Sequence, residues 1–216
     1  MTEPRTSLER LEQQIAFVLE IDRLKHVLRR NRLADGSRRE NDVEHSWHLA
    51  MMALLLAEHS PRPIDALHVM HMALIHDLVE IDAGDTCVYH SAARAEAAAA
   101  ERAAADRIFG MLPSDQAAAF RAVWDEFEEG VTAEAQFARA LDRLQPILMN
   151  NASEGAAWCE LGVTYEQVRE LNLPLLRRGA PVFAALIDGV LGEAKRKGYF
   201  APDPVSDQNP EGTRSQ

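Results

Sequence analysis

The stretch Met70-His71-Met72-Ala73-Leu74-Ile75-His76-Asp77-Leu78-Val79-Glu80 decides how this chain is read. It is apolar almost throughout, and it falls in a helix expected over about 64–80, between Pro63 and Gly84. An ionised Asp in such a run is costly to bury unless something charged meets it. A metal ion is the simplest such partner.

Two further residues complete a set. His45 lies in Asn41-Asp42-Val43-Glu44-His45-Ser46-Trp47-His48, and Asp142 lies in Phe137-Ala138-Arg139-Ala140-Leu141-Asp142-Arg143-Leu144. His45, His76, Asp77 and Asp142 offer two imidazoles and two carboxylates from three helical segments, a ligand set for one divalent cation. Each has a plainer reading by itself: a core histidine for His45 or His76, and a salt bridge to Arg139 or Arg143 for Asp142. His48 is three residues from His45 and is an alternative ligand, or a donor behind it. Trp47 reads as core.

Around the pair, Glu80 shares a helix face with His76 and Asp77. Asp82 and Asp85 follow, the latter in an expected loop after Gly84. Arg29, Arg30 and Arg32, with Arg38 and Arg39, precede His45 in an otherwise acidic chain. Their plain reading is a solvated loop. Their sharper reading is a guanidinium clamp on a phosphate, whose oxygens match the planar fork.

The remaining pattern is helical. Leu8 to Arg29 carries Leu11, Ile15, Val18, Leu24 and Leu28 at helical spacings, and Asp35-Gly36-Ser37 reads as a turn. Helices are expected over about 42–58, 92–109 with Ser91 as N-cap, and 113–129 closed by Gly130. Thr132 caps the helix that carries Asp142, and Pro146 should kink it. Thr164 caps a short helix to about Leu171, and Pro181 opens the last, to about Lys197. No useful β-alternation is present. The expectation is an all-α bundle, one globular domain over 8–197, with a disordered tail over 202–216.

The chain has 216 residues, and its net charge of −11 argues against nucleic acid polymers as partners. No apolar run is long enough for a membrane span, and the N-terminus lacks a signal core. Cys87 and Cys159 read as buried free thiols. A cytoplasmic protein is expected.

The pattern His45…His76-Asp77…Asp142 resembles that of the HD-domain phosphohydrolases. The stretches Arg38–Trp47 and Ala73–Asp85 are similar to the 5′-deoxynucleotidase group within it. The resemblance spans about residues 8 to 170 and implies an HD-domain helical bundle, a homodimer, and hydrolysis of nucleoside 5′-monophosphates. It also implies one divalent metal, drawn from Mn, Co, Fe, Ni, Zn or Mg. Glu80 and Asp85 match its catalytic acids, and Arg30 lies near its substrate arginine; Arg30 and Arg39 flank the first ligand in an otherwise acidic chain and are the expected phosphate contacts. Where the deoxynucleotidases have an aromatic beside that arginine, this chain has Asn31, so weak discrimination between ribose and deoxyribose is expected. The alternatives are a non-catalytic nucleotide-binding module, or hydrolysis of another small phosphorylated metabolite. A dinuclear site would need further histidines between His76-Asp77 and Asp142, where only His90 lies.

Overall fold

The structure, a computed structural model, describes residues 7–84 and 94–202. Asp85, Cys87, His90 and Ser91 lie outside the described residues, as does nearly all of the expected tail. Ten α-helices are described: α1 (Ser7–Ile21), α2 (Asp42–Leu56), α3 (Ala66–Ile75), α4 (Glu80–Ala83), α5 (Arg94–Phe109), α6 (Ser114–Glu129), α7 (Ala133–Ala152), α8 (Ala156–Glu160), α9 (Tyr165–Gly179) and α10 (Pro181–Lys197). The expected caps set several boundaries. Thr132 accepts from Ala135 N at the start of α7 and Gly130 closes α6 at φ 60°, while Asn41 and Glu44 add a reciprocal capping box on α2 that is not among the expected ones.

The first departure follows α1. The helical pattern through Leu28 predicts one helix to Arg29, but the helix stops at Ile21 and a 3₁₀ turn covers Asp22–His26. A two-stranded antiparallel hairpin follows, β1 (Leu28–Arg32) and β2 (Arg39–Asn41). Its turn is the expected one: Gly36 sits at φ 71°, and Ser37 N donates to Asp35 Oδ1 at 2.9 Å. Asp42 N donates to Val27 O at 3.2 Å and ties the hairpin to the start of α2. The reason for the departure is tertiary. Only the hairpin carries Arg29 to the carboxylates of Asp42 and Asp77.

The second departure is at the decisive stretch itself. The α-helix ends at Ile75, and His76–Val79 winds as a 3₁₀ turn into α4. This turn lies where two apolar clusters meet. One contains Leu49, Met72, Leu141, Leu144 and Ile187, from α2, α3, α7 and α10. The other contains Phe17, Leu78, Val79, Ile108 and Trp124, from α1, α5, α6 and the turn.

Helix α9 runs eight residues past the expected end at Leu171 and passes through Pro174. An interior proline costs about 3 kcal/mol. Burial of Val168, Leu173 and Leu176 against α7 and α10 outweighs it. Gly179 permits the approach: a Cβ there would lie 2.3 Å from Gln136 O and 2.4 Å from the Ala140 Cβ on α7. Helix α7 likewise continues through Pro146 without interruption. Trp47, expected in the core, is 63% exposed, and Leu11, Ile15, Val18 and Leu19 on α1 are exposed too. Cys159 is an exposed thiol rather than a buried one.

Candidate metal centre and its cavity

Helices α2 and α7 and the turn after α3 bring the four sequence-expected ligands together. His45 Nε2 lies 3.1 Å from Asp142 Oδ1 and 3.8 Å from Asp77 Oδ2. His76 Nε2 lies 3.1 Å from Asp77 Oδ1 and 3.8 Å from Asp142 Oδ1. Donor atoms of His45, His76 and Asp142 all fall within 4.8 Å of one another, close enough to hold one ion.

The other ring nitrogens fix how the imidazoles face. His45 Nδ1 donates to Gln145 Oε1 at 3.1 Å, and His76 Nδ1 donates to the Ala73 carbonyl at 3.0 Å. Both rings therefore turn Nε2 towards the two carboxylates. His76 Nε2 is buried without a hydrogen-bond partner. Four electron-rich groups converge on one point, which calls for a cation. The residues present thus fit a divalent metal.

The electrostatics agree. Burial disfavours the His76 cation, but Asp77 and Asp142 outweigh it and push its pKa up to about 10. Burial and then Arg29 push His45 down to about 4, so it stays a neutral imidazole. A pocket that retains a proton this firmly on one of two neighbouring imidazoles wants positive charge, and a bound metal ion would displace that proton.

Arg29 is the permanent cation beside the site. Its Nη1 lies 2.8 Å from Asp77 Oδ2 and 3.0 Å from Asp42 Oδ1. The guanidinium is held charged by Asp77, Glu80, Asp142 and Asp42 against the cost of burial. Asp42 is fully buried at the start of α2 and shares a hydrogen bond with Glu80. Burial and Asp77 push Asp42 up to about 6, while burial, Asp77 and Asp42 raise Glu80 well above the usual carboxylate range. Of the other acids, Asp82 is taken up by Arg107, whose Nη2 also donates to Glu20 at 2.7 Å.

The centre opens into a cavity of about 450 Å³. Arg30, Arg139 and Arg143 line it with Glu80, Glu101 and Glu128. Arg139 donates to the Phe127 carbonyl at 3.1 Å, so it does not pair with Asp142; Arg143 Nε lies 3.6 Å from Asp142 Oδ2. The rest of the lining includes Ile147, Trp158, Leu161 and Leu171, with Asn31, Asn150 and Asn172.

Of the two arginines expected to contact phosphate, Arg30 lines the cavity and Arg39 stands on β2 outside the lining. Sequence reasoning missed Arg29 and Asp42 as partners of the centre, Arg143 as a cavity arginine, and α8 and α9 as a wall. The signal for Asp42 was the capping box beside it, and for Arg29 the basic run already noted. Nothing in sequence spacing points to the α9 wall. His48 stands behind the centre as the alternative reading allowed: its Nδ1 is 3.3 Å from Gln145 Nε2.

The family model of the HD domain matches residues 21–182. The chain is 30% identical over 109 residues to 5′-deoxynucleotidase HDDC2 of Xenopus laevis, covering 50% of this chain and 53% of that one. It therefore spans about half the length of that relative. It is 26% identical over 145 residues to 5′-deoxynucleotidase HDDC2 of Danio rerio, covering 67% of this chain and 71% of that one. Among solved structures, a predicted metal-dependent phosphohydrolase from Magnetospirillum magnetotacticum MS-1 is 50% identical with a TM-score of 0.83, covering 89% of this chain and 99% of that one. A conserved hypothetical protein from Pyrococcus furiosus, at 22% identity and TM-score 0.57, shares the fold. The chain belongs to the HD-domain family of metal-dependent phosphohydrolases.

Proposed function

We propose that this protein hydrolyses nucleoside 5′-monophosphates to nucleoside and inorganic phosphate, with one divalent ion held by His45, His76, Asp77 and Asp142. The observation that carries the reading is the cavity. A cation-seeking group of imidazoles and carboxylates, several arginines and an apolar wall with amides all face this one cavity. The relatives named 5′-deoxynucleotidase support the substrate class.

The ion supplies Lewis acidity towards a phosphate oxygen and lowers the pKa of a water. Arg30 and Arg143 grip the remaining phosphate oxygens. Arg29 is committed to Asp42 and Asp77 and holds the ligand carboxylate in place. Glu80 receives the proton of the attacking water, relayed through its hydrogen bond with Asp42. In-line attack breaks the bond between phosphorus and the nucleoside 5′-oxygen. Asp85, outside the described residues, retains from the resemblance the role of protonating that oxygen or holding the sugar.

A homodimer is part of the same reading. Leu11, Ile15 and Leu19 on α1 and Trp47, Met51 and Leu55 on α2 are each close to half exposed or more in the single chain. A second copy would cover them. Light scattering on the purified protein tests this, and a monomer at micromolar concentration would end it.

Phosphate release from a panel of nucleoside 5′-monophosphates, with each candidate metal added to chelator-treated protein, tests the activity. Release that depends on metal is expected. Nucleotide binding without turnover under any metal would favour the non-catalytic reading.

A further inference from the structure

Glu101 stands on the inward face of α5. Ala97 and Ala98 share the cavity wall with it, and Ala104, Ala105 and Ile108, further along the same stripe, are buried in the core. It is the one charged side chain that α5 contributes to the cavity lining. A carboxyl on such a stripe is costly unless a partner meets it. The neighbouring acids of the centre have partners: Arg29 for Asp77, His45 for Asp142 and Asp42 for Glu80. The Glu101 carboxyl makes no hydrogen bond or ion pair among the described residues. The residue is only partly buried, so the carboxyl is within reach of a ligand in the cavity.

Its surroundings limit what that ligand group can be. Burial and then Asp77 raise the Glu101 pKa, opposed by Arg102 at the next position. Glu101 therefore lies in the field of a metal-ligating carboxylate, near the phosphate end of the cavity. Phosphate oxygens are anionic acceptors, and a carboxylate beside them is repelled. The group next to the phosphate in a nucleotide is the sugar, and its hydroxyls are donors. A carboxylate, with two acceptor oxygens, matches them. The apolar part of the lining, Trp158, Leu161 and Leu171, comes from the α8–α9 part of the chain and suits the face of the base.

We propose that Glu101 is a substrate-binding residue whose carboxylate accepts a hydrogen bond from a hydroxyl of the nucleotide's sugar. The inference rests on the nucleotidase reading for its substrate. It also explains why an alanine-rich helix carries a carboxyl on its inward stripe.

The test is Glu101→Ala, a substitution that α5 tolerates, since alanines already occupy 97–100 and 103–105. KM for AMP is expected to rise about tenfold or more, the worth of a hydrogen bond to a charged acceptor. In the wild type, 2′-deoxy-AMP and 3′-deoxy-AMP each lack one hydroxyl. The one lacking the hydroxyl that Glu101 meets should lose as much in kcat/KM against AMP, and that difference should vanish in the variant. An unchanged KM, or discrimination that survives in the variant, would overturn the proposal. So would a loss confined to kcat, which would make Glu101 an acid towards the leaving oxygen. Calorimetry with adenosine, which needs no turnover, separates this contact from the activity. Weaker adenosine binding by Glu101→Ala, with no hydrolysis of AMP by the wild type, would sink the nucleotidase reading and keep the sugar contact. Hydrolysis of AMP with the same KM in both proteins would do the reverse.

Discussion

His45 and Gln145 meet in the core: His45 Nδ1 donates to Gln145 Oε1 at 3.1 Å, and both residues are fully buried. Gln145 Nε2 in turn donates to Glu40 Oε1 at 2.8 Å. The contact joins α2 to α7, the two helices that contribute His45 and Asp142, and it aims the His45 Nε2 lone pair at the carboxylates. Loss of such support behind a metal ligand costs about 10- to 100-fold in affinity. Gln145→Leu is expected to weaken metal binding by that factor, while Gln145→Glu, which keeps an acceptor, should lose less. Metal titration of both variants checks it, and unchanged affinity in Gln145→Leu would remove Gln145 from the centre.

One divalent ion per chain is expected by elemental analysis. Asp77→Ala should bind none, because it removes a ligand carboxylate and also leaves Arg29 without its 2.8 Å partner. Two ions per chain would contradict the single-site reading.

Glu80→Ala should keep the ion and lose about 10²–10⁴-fold in kcat, the usual worth of a general acid–base group. Its carboxyl lines the cavity and bonds Asp42 but lies outside the ligand set. A variant with ion and full turnover would reduce Glu80 to a buried partner of Asp42.

The two sequence-expected phosphate arginines should now separate. Arg30 lines the cavity and Arg39 does not. Arg30→Ala should raise KM for a nucleoside monophosphate, with partial rescue by Lys, which lacks the planar fork. Arg39→Ala should leave KM unchanged. Equal effects at the two positions would mean that neither grips the phosphate directly.

Burial, opposed by Arg29 and Gln145, pushes Glu40 up to about 7. The native state then keeps a proton that the unfolded chain has lost, between the ordinary Glu value and 7. Glu40 therefore reduces stability progressively as pH rises through that window. In chelator-treated protein, Glu40→Gln should raise the melting temperature by a few degrees at pH 8 and hardly at all at pH 4.5. A gain equal at both pH values would show that the effect is not titration of Glu40.

The sequence by itself determined the helical class, the cap at Thr132 and the stop at Gly130, and the four residues that meet at the centre. Those features are local: periodicity, capping chemistry and the cost of an acid in an apolar run are all written in neighbouring residues. Only the tertiary structure decided the rest. Leu28 and Arg29 continue a helical pattern, yet Arg29 sits in a strand because its charge answers Asp77, 48 residues away. The helix from Thr164 is expected to end at about Leu171, yet α9 runs on through Pro174 because Leu173 and Leu176 are buried against α7 and α10. Long-range charge pairing and burial act between residues that sequence spacing does not relate, so the cavity around the metal centre emerges only when the chain is folded.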